Sequence, residues 1–209
     1  EHTQISFTPD LKRFGMDRLD DDVIALFTKR VYDMAGVTDK SLKVYLNGEK
    51  VPVTGFLQYV ELFQQSEAAP GMEPQKVIAD KSDSWEVAVG VSDGSFKQVS
   101  FVNSINTAKG GQHVNYIADQ ITAHLMKTCK KKNKGAELKP THIKNHLSVY
   151  VSALITNPAF DSQTKETLTT RPKSFGSAFK LSDKFLKQVE KSGIVENILS
   201  WAKFKQSAE

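Results

Sequence analysis

Apolar positions alternate between two spacings along this chain, and each spacing names an element. Val23, Leu26, Phe27, Val31 and Met34 fall on one helical stripe between Asp20 and Ala35. Asp20, Asp21 and Asp22 sit at the positive N-terminal end of that stripe, and Gly36 is placed past its last turn. Leu42 to Leu46 reads as a strand, Asn47-Gly48 as a tight hairpin turn and Lys50 to Val53 as the return. Phe56, Tyr59, Val60 and Phe63 recur at i, i+3, i+4 and i+7, a second helix, and Ser66 to Pro74 is a Pro- and Gly-broken loop. Trp85, Val87, Val89 and Val91 then alternate with Glu86, Ala88 and Gly90. With Asp93-Gly94 as a turn into Phe96 to Asn103, this predicts an antiparallel pair with one buried face.

A long helix from His113 to Lys131 is predicted by Val114, Ile117, Ala118, Ile121, Leu125 and Met126, and a strand by Leu147 to Ile155. Ser182 to Lys191 and Ile194 to Lys205 are two further helices, separated by Gly193. Neither an internal repeat nor a low-complexity segment interrupts the pattern. It predicts an α+β fold, with helices covering one face of a mixed, mostly antiparallel sheet. The aromatic residues Phe27, Tyr59, Phe63, Trp85 and Phe101 are assigned to its core.

At 209 residues with 39% hydrophobic content, the chain can bury the core this pattern requires. A net charge of +4, from 28 basic and 24 acidic residues, permits an acidic partner without demanding one. Cys129 is the sole cysteine, so no intrachain disulfide forms; a reducing compartment and a structural thiol follow. No apolar run reaches the roughly 18 to 20 residues needed to cross a bilayer. The start at Glu1 and the helical pattern running to the C-terminal end lead to the expectation of a piece of a longer protein.

Few residues are candidates for chemistry. Gln163-Thr164-Lys165 occupies a polar loop after the Leu147 to Ile155 strand and the Asn157-Pro158 break, where an amide and an ammonium can read a phosphate. A solvated loop lysine is the ordinary alternative. Lys130, Lys131 and Lys132, with Asn133-Lys134-Gly135, close the long helix; lysines there complement the helix dipole, and Gly135 suits a left-handed cap. Gly110-Gly111-Gln112-His113 opens the same helix, either as a tight connection or with free amides for an anion. His113 lacks a carboxylate partner and is assigned a structural or coupling role. His142 and His146 lie four apart with no third ligand at a persuasive spacing, so no metal site is expected.

Three segments, in this order, resemble type II DNA topoisomerases, and the eukaryotic enzymes most. Ile5-Ser6-Phe7-Thr8-Pro9-Asp10 is similar to the closing strand of the ATP-binding GHKL domain. Ser100 to His113, reading Phe-Val-Asn, Asn-Thr and Gly-Gly-Gln-His, resembles part of the family's transducer domain, and Phe160 to Glu166 resembles its Gln-Thr-Lys loop. Val44 to Gly48 and Ile194 to Glu196 extend the likeness over nearly the whole chain.

The resemblance implies a ribosomal-protein-S5 domain-2-like fold with a left-handed βαβ crossover. It divides the chain into residues 1–15, the end of the nucleotide domain; 16–192, the transducer; and 193–209, a helix leading toward the DNA-cleavage core. It implies that Lys165 contacts the γ-phosphate of ATP, supported by Gln163 and Thr164, and that Lys130, Lys131 and Lys132 touch double-stranded DNA. ATP and Mg²⁺ belong to the parent enzyme, a nuclear homodimer. The family's Glu-x-x-x-Asn helix, ATP lid and cleavage tyrosine have no counterpart here, so the isolated chain is expected to be an inactive monomer. A basic non-enzymatic nucleic-acid-binding module, or the equivalent domain of a gyrase B or MutL-type GHKL protein, are the alternatives.

Overall fold

In the computed structural model, residues 1–71, 73–132 and 138–208 are described. Elements follow in the order α1 (Asp21–Val37), β1 (Tyr45–Leu46), β2 (Glu49–Lys50), α2 (Phe56–Glu67), β3 (Ile78–Lys81), β4 (Trp85–Val91), β5 (Lys97–Val102), β6 (Ile105–Asn106) and β7 (Gly110–Gly111). Then come α3 (Gln112–Lys132), α4 (Pro140–Lys144), β8 (Leu147–Ala153), β9 (Thr167–Leu168), α5 (Asp183–Glu190) and α6 (Ile194–Ala208). The α+β class and the mixed sheet agree with the sequence pattern, and so do the extents of α2, α3, α5 and β8.

Strand pairing departs from expectation. The central sheet has the order β3-β4-β8-β5-β6, so β4 and β5 are not a hairpin pair. β8 lies between them, antiparallel to β4 and parallel to β5. The reason is visible in β8 itself, which is buried on both sides: Val149 and Val151 belong to one apolar cluster and Tyr150 to the other. A strand buried on both faces belongs in the interior of a sheet. Ala88 and Gly90 on β4 are likewise buried rather than solvent-facing. Gly90 lies so close to α2 that a Cβ there would come within 3.3 Å of the Gln64 amide oxygen.

Helices therefore cover both faces of the sheet instead of one. On one side, Val87, Val89, Val149 and Val151 pack with Ile117, Ile121 and Leu125 of α3 and with residues of α5 and α6. On the other, Ala88, Phe101 and Tyr150 pack with Tyr59 and Val60 of α2 and Ala35 of α1. Trp85 anchors the first core, stacked on Phe179 with ring centroids 5.9 Å apart.

The start of the chain brings further corrections. Asp20 caps α1 as its position suggests, accepting from the Val23 N–H at 2.9 Å. Yet Leu26, Phe27 and Met34, expected in the core, are 49%, 48% and 43% exposed, while Asp33, Ala35 and Gly36 are buried. Gly36 lies inside α1 rather than past it, and glycine is needed there because a Cβ would collide with the Tyr59 side chain at 2.6 Å. Asp33 is buried because it accepts from the Tyr59 hydroxyl at 2.6 Å and pairs with Lys29 at 2.8 Å. The hairpin is shorter than predicted, two residues a side, with Asn47 and Gly48 at φ 51° and 85°, as a tight turn of this kind requires.

Candidate phosphate-reading loop and lysine segment

Two motifs far apart in sequence meet in a second, small sheet. β7 pairs parallel with β9, Gly110 opposite Thr167 and Gly111 opposite Leu168. Only glycine permits the approach. Gly111 has φ 134°, and a Cβ on it would stand 2.5 Å from the Leu168 nitrogen, 2.9 Å from its Cα and nearer still to its carbonyl oxygen.

The loop from Asp161 to Glu166 hangs from this sheet. Phe160 bridges to Leu168 at its base. Asp161 closes it: its N–H donates to the Thr167 carbonyl and its carboxylate accepts the Thr167 N–H, both at 3.2 Å. That hydrogen bonding with Thr167 is the first cause holding the Asp161 carboxyl below the usual carboxylate range. Within the loop, the Lys165 N–H donates to the Ser162 carbonyl at 3.1 Å, and the Ser162 and Thr164 hydroxyls are 2.9 Å apart. Lys165 sits at φ 58°, a left-handed conformation that side-chain-bearing residues seldom adopt and that recurs at ligand-contacting positions. Gln163 and Thr164 are exposed and Lys165 is half-buried, its ammonium 5.9 Å from the centre of the Phe160 ring. Among the described residues Lys165 takes part in no ion pair.

A contact that the sequence did not announce ties the loop to the glycine segment. Lys109 Nζ lies 2.6 Å from Glu166 Oε2, and the Lys109 N–H donates to the Glu166 carbonyl at 3.0 Å. The neighbouring His113 has the structural role assigned to it. Its Nε2 is 3.1 Å from the Thr107 hydroxyl, which is 2.6 Å from that of Ser100, while Ser100 Oγ also donates to the Thr107 carbonyl. The buried Nδ1 of His113 has no hydrogen-bond partner among the described residues. Burial lowers its pKa to about 3, which rules out proton transfer near neutrality.

From this end, α3 runs the length of the domain. Its buried stripe, His113, Val114, Ile117, Ala118, Ile121, Thr122, Leu125 and Cys129, keeps i, i+3, i+4 spacing throughout. Twenty-one residues at 1.5 Å each carry it about 30 Å, to Lys130, Lys131 and Lys132. All three are exposed, and Lys132 Nζ is 4.0 Å from Glu196 Oε1 on α6. Asn133, Lys134 and Gly135 lie outside the described residues. His142 and His146 instead pack on Trp201, with ring centroids 4.7 and 6.0 Å away. Among the described residues, no group of three or more His, Cys, Asp or Glu side chains is placed to hold a metal ion.

Comparison with known proteins identifies the family. Residues 55–209 match the family model described as DNA gyrase B. DNA topoisomerase 2 of Arabidopsis thaliana is 55% identical over 209 residues, covering 99% of this chain and 14% of that protein. The ATPase and transducer domains of DNA topoisomerase II from Balamuthia mandrillaris superpose with a TM-score of 0.85 at 44% identity, over 95% of this chain and 49% of that one. The ATPase region of Saccharomyces cerevisiae topoisomerase II gives 0.83 and 42%, over 93% and 49%. The chain spans about one seventh of the length of its curated relatives and about half of the solved ATPase regions. It belongs to the DNA gyrase B family and corresponds to part of the ATPase region of eukaryotic-type DNA topoisomerase 2.

Proposed function

We propose that this chain is the transducer portion of an ATP-dependent type II DNA topoisomerase, coupling nucleotide state at the enzyme's N-terminal clamp to passage of one DNA duplex through another. The observation that carries the reading is the placement of Lys165: an ammonium outside any ion pair among the described residues, on a closed loop in a left-handed conformation, near one end of the helix whose other end is Lys130, Lys131 and Lys132. Residues 1–15 would close the upstream nucleotide domain and 193–209 would lead toward the DNA-cleaving core.

In the intact homodimer, Lys165 contacts the γ-phosphate of ATP held by the upstream domain, with Gln163 and Thr164 beside it. A cation there stabilises charge on the γ-phosphoryl oxygens as the bond to the leaving group breaks. It also distinguishes ATP from ADP, and a ligand-driven switch works only through such a difference in contacts. Magnesium would be held by the upstream domain, since no described carboxylate cluster of this chain fits it. At the far end, Lys130, Lys131 and Lys132 meet duplex phosphates without reading bases. The likeness to eukaryotic topoisomerase 2 supports a nuclear parent enzyme acting on DNA.

The test is steady-state ATP hydrolysis by the full-length enzyme with Lys165 intact and as Lys165→Ala. Removing a cation from a phosphoryl-transfer site should lower turnover about a hundredfold with the fold unchanged. Unaltered turnover would leave Lys165 a solvated loop residue and end the proposal.

A further inference from the structure

Glu166 sets a carboxylate directly beside the cation proposed to meet a triphosphate. Left free, it would compete for the Lys165 ammonium and repel the incoming anion. In the structure it is engaged elsewhere: its Oε2 is 2.6 Å from Lys109 Nζ, and its carbonyl accepts the Lys109 N–H at 3.0 Å. The Lys109 ammonium is held above its ordinary lysine pKa, first by this hydrogen bond and then by Coulomb attraction to Glu166.

Exposed ion pairs add little to stability, and here the side chains of Lys109 and Glu166 are 67% and 37% exposed. Holding the fold is therefore a poor reason for the pair. The backbone on both sides is already fixed, by the pairing of β7 with β9 and by the Asp161 to Thr167 closure, so the pair costs little further ordering. What it changes is local charge next to Lys165.

We infer that Lys109 is a positioning residue for the nucleotide step: it sequesters the Glu166 carboxylate and leaves the Lys165 ammonium free for a phosphate. This rests on the reading of Lys165 given above. It makes the two partners unequal, because losing Lys109 releases a harmful carboxylate, whereas losing the Glu166 charge removes the reason for Lys109.

The experiment compares Lys109→Ala, Glu166→Gln, the double variant and Lys165→Ala in the full-length enzyme, following kcat and KM for ATP at low and high salt. Lys109→Ala should lower kcat/KM about fivefold, the size of one exposed charge interaction, and less at high salt. Glu166→Gln should stay within about twofold of the wild type, and adding it to Lys109→Ala should restore the loss. Two results would overturn the inference. If the double variant stays as low as Lys109→Ala, Lys109 itself meets the phosphate. If Glu166→Gln alone costs as much as Lys109→Ala, the pair is only a clasp. Normal turnover by Lys165→Ala would remove the underlying reading, whereas loss in Lys165→Ala without rescue in the double variant removes this inference alone.

Discussion

Replacing Gly111 by alanine tests the joint between the glycine segment and the loop. The added Cβ would stand 2.5 Å from the Leu168 nitrogen and 2.9 Å from its Cα, and Leu168 is backbone in a buried strand that cannot rotate away. Alanine at φ 134° costs about 1–3 kcal/mol, and overpacking against backbone about as much again, so roughly 2–6 kcal/mol must be absorbed. The cheaper relief is local, since parting β7 from β9 sacrifices a few hydrogen bonds at about 1 kcal/mol each. The melting temperature should fall by about 4–10 °C for a chain of this length. Hydrogen exchange should reveal loss of protection at the Lys109 amide, which donates to Glu166, while β4 and β8 stay protected. Gly110→Ala is the control. Its φ of 76° carries the usual left-handed penalty of about 1–2 kcal/mol, but its nearest neighbour is the flexible Gln98 side chain at 3.3 Å. Equal stability of the two variants, with the Lys109 amide equally protected, would refute the close-approach reasoning.

Other outcomes follow from the same geometry. The folded-state pKa of His113 is about 3 against 6.5 unfolded, so below pH 6.5 the unfolded chain binds the extra proton and stability falls with pH. Urea unfolding should show about 2 kcal/mol lost to this residue between pH 7 and pH 5, and His113→Gln should flatten the profile by up to one proton. Asp33→Ala leaves the Tyr59 hydroxyl unsatisfied in the core and should cost about 2–3 kcal/mol in denaturant unfolding, more than removing the surface-facing Lys29 by Lys29→Ala. In the full-length enzyme, changing Lys130, Lys131 and Lys132 together to alanine should reduce the slope of log binding constant against log salt for duplex DNA by about 2.7; an unchanged slope would mean that these lysines do not meet phosphates.

Local order was readable wherever one periodicity dominated. The stripe of α3 and the caps of α1 and α5 follow directly from residue spacing and from Asp20 and Ser182. Strand partners were not, because the order β4-β8-β5 depends on β8 being buried on both faces, including the one that carries Ser148 and Ser152, and periodicity cannot say which strand will occupy the centre. The exposed Leu26, Phe27 and Met34 look like core residues in any sequence pattern; only the Asp33 to Tyr59 bond and the Gly36 contact show which side of α1 faces inward. At the candidate site, Gln163, Thr164 and Lys165 were visible as a polar loop. Lys109 and Glu166 were not, since 57 residues separate them and nothing local to either names the other.

The arrangement also limits how the two ends can communicate. α3 contains neither glycine nor proline among its 21 residues, and its buried stripe is packed without interruption against β8, α5 and α6. A helix so held transmits displacement as a body and does not bend in the middle. On the proposed reading, a change produced by phosphate contact at Lys165 would enter through the short β7 and β9 pairing, where Gly110 and Gly111 join α3 directly. That pairing is only two residues long and lies outside the five-stranded sheet, so few backbone hydrogen bonds hold it, although Leu168 itself is anchored in the core. On this view the glycine segment is the compliant element and α3 the rigid one. In the full-length enzyme, coupling between ATP turnover and the proposed DNA contact at Lys130, Lys131 and Lys132 should consequently be more sensitive to Gly111→Ala than to conservative apolar exchanges along the α3 stripe, such as Ile117→Val. If Ile117→Val uncoupled DNA-stimulated from basal ATP hydrolysis as strongly as Gly111→Ala, the rigid-helix account would be wrong.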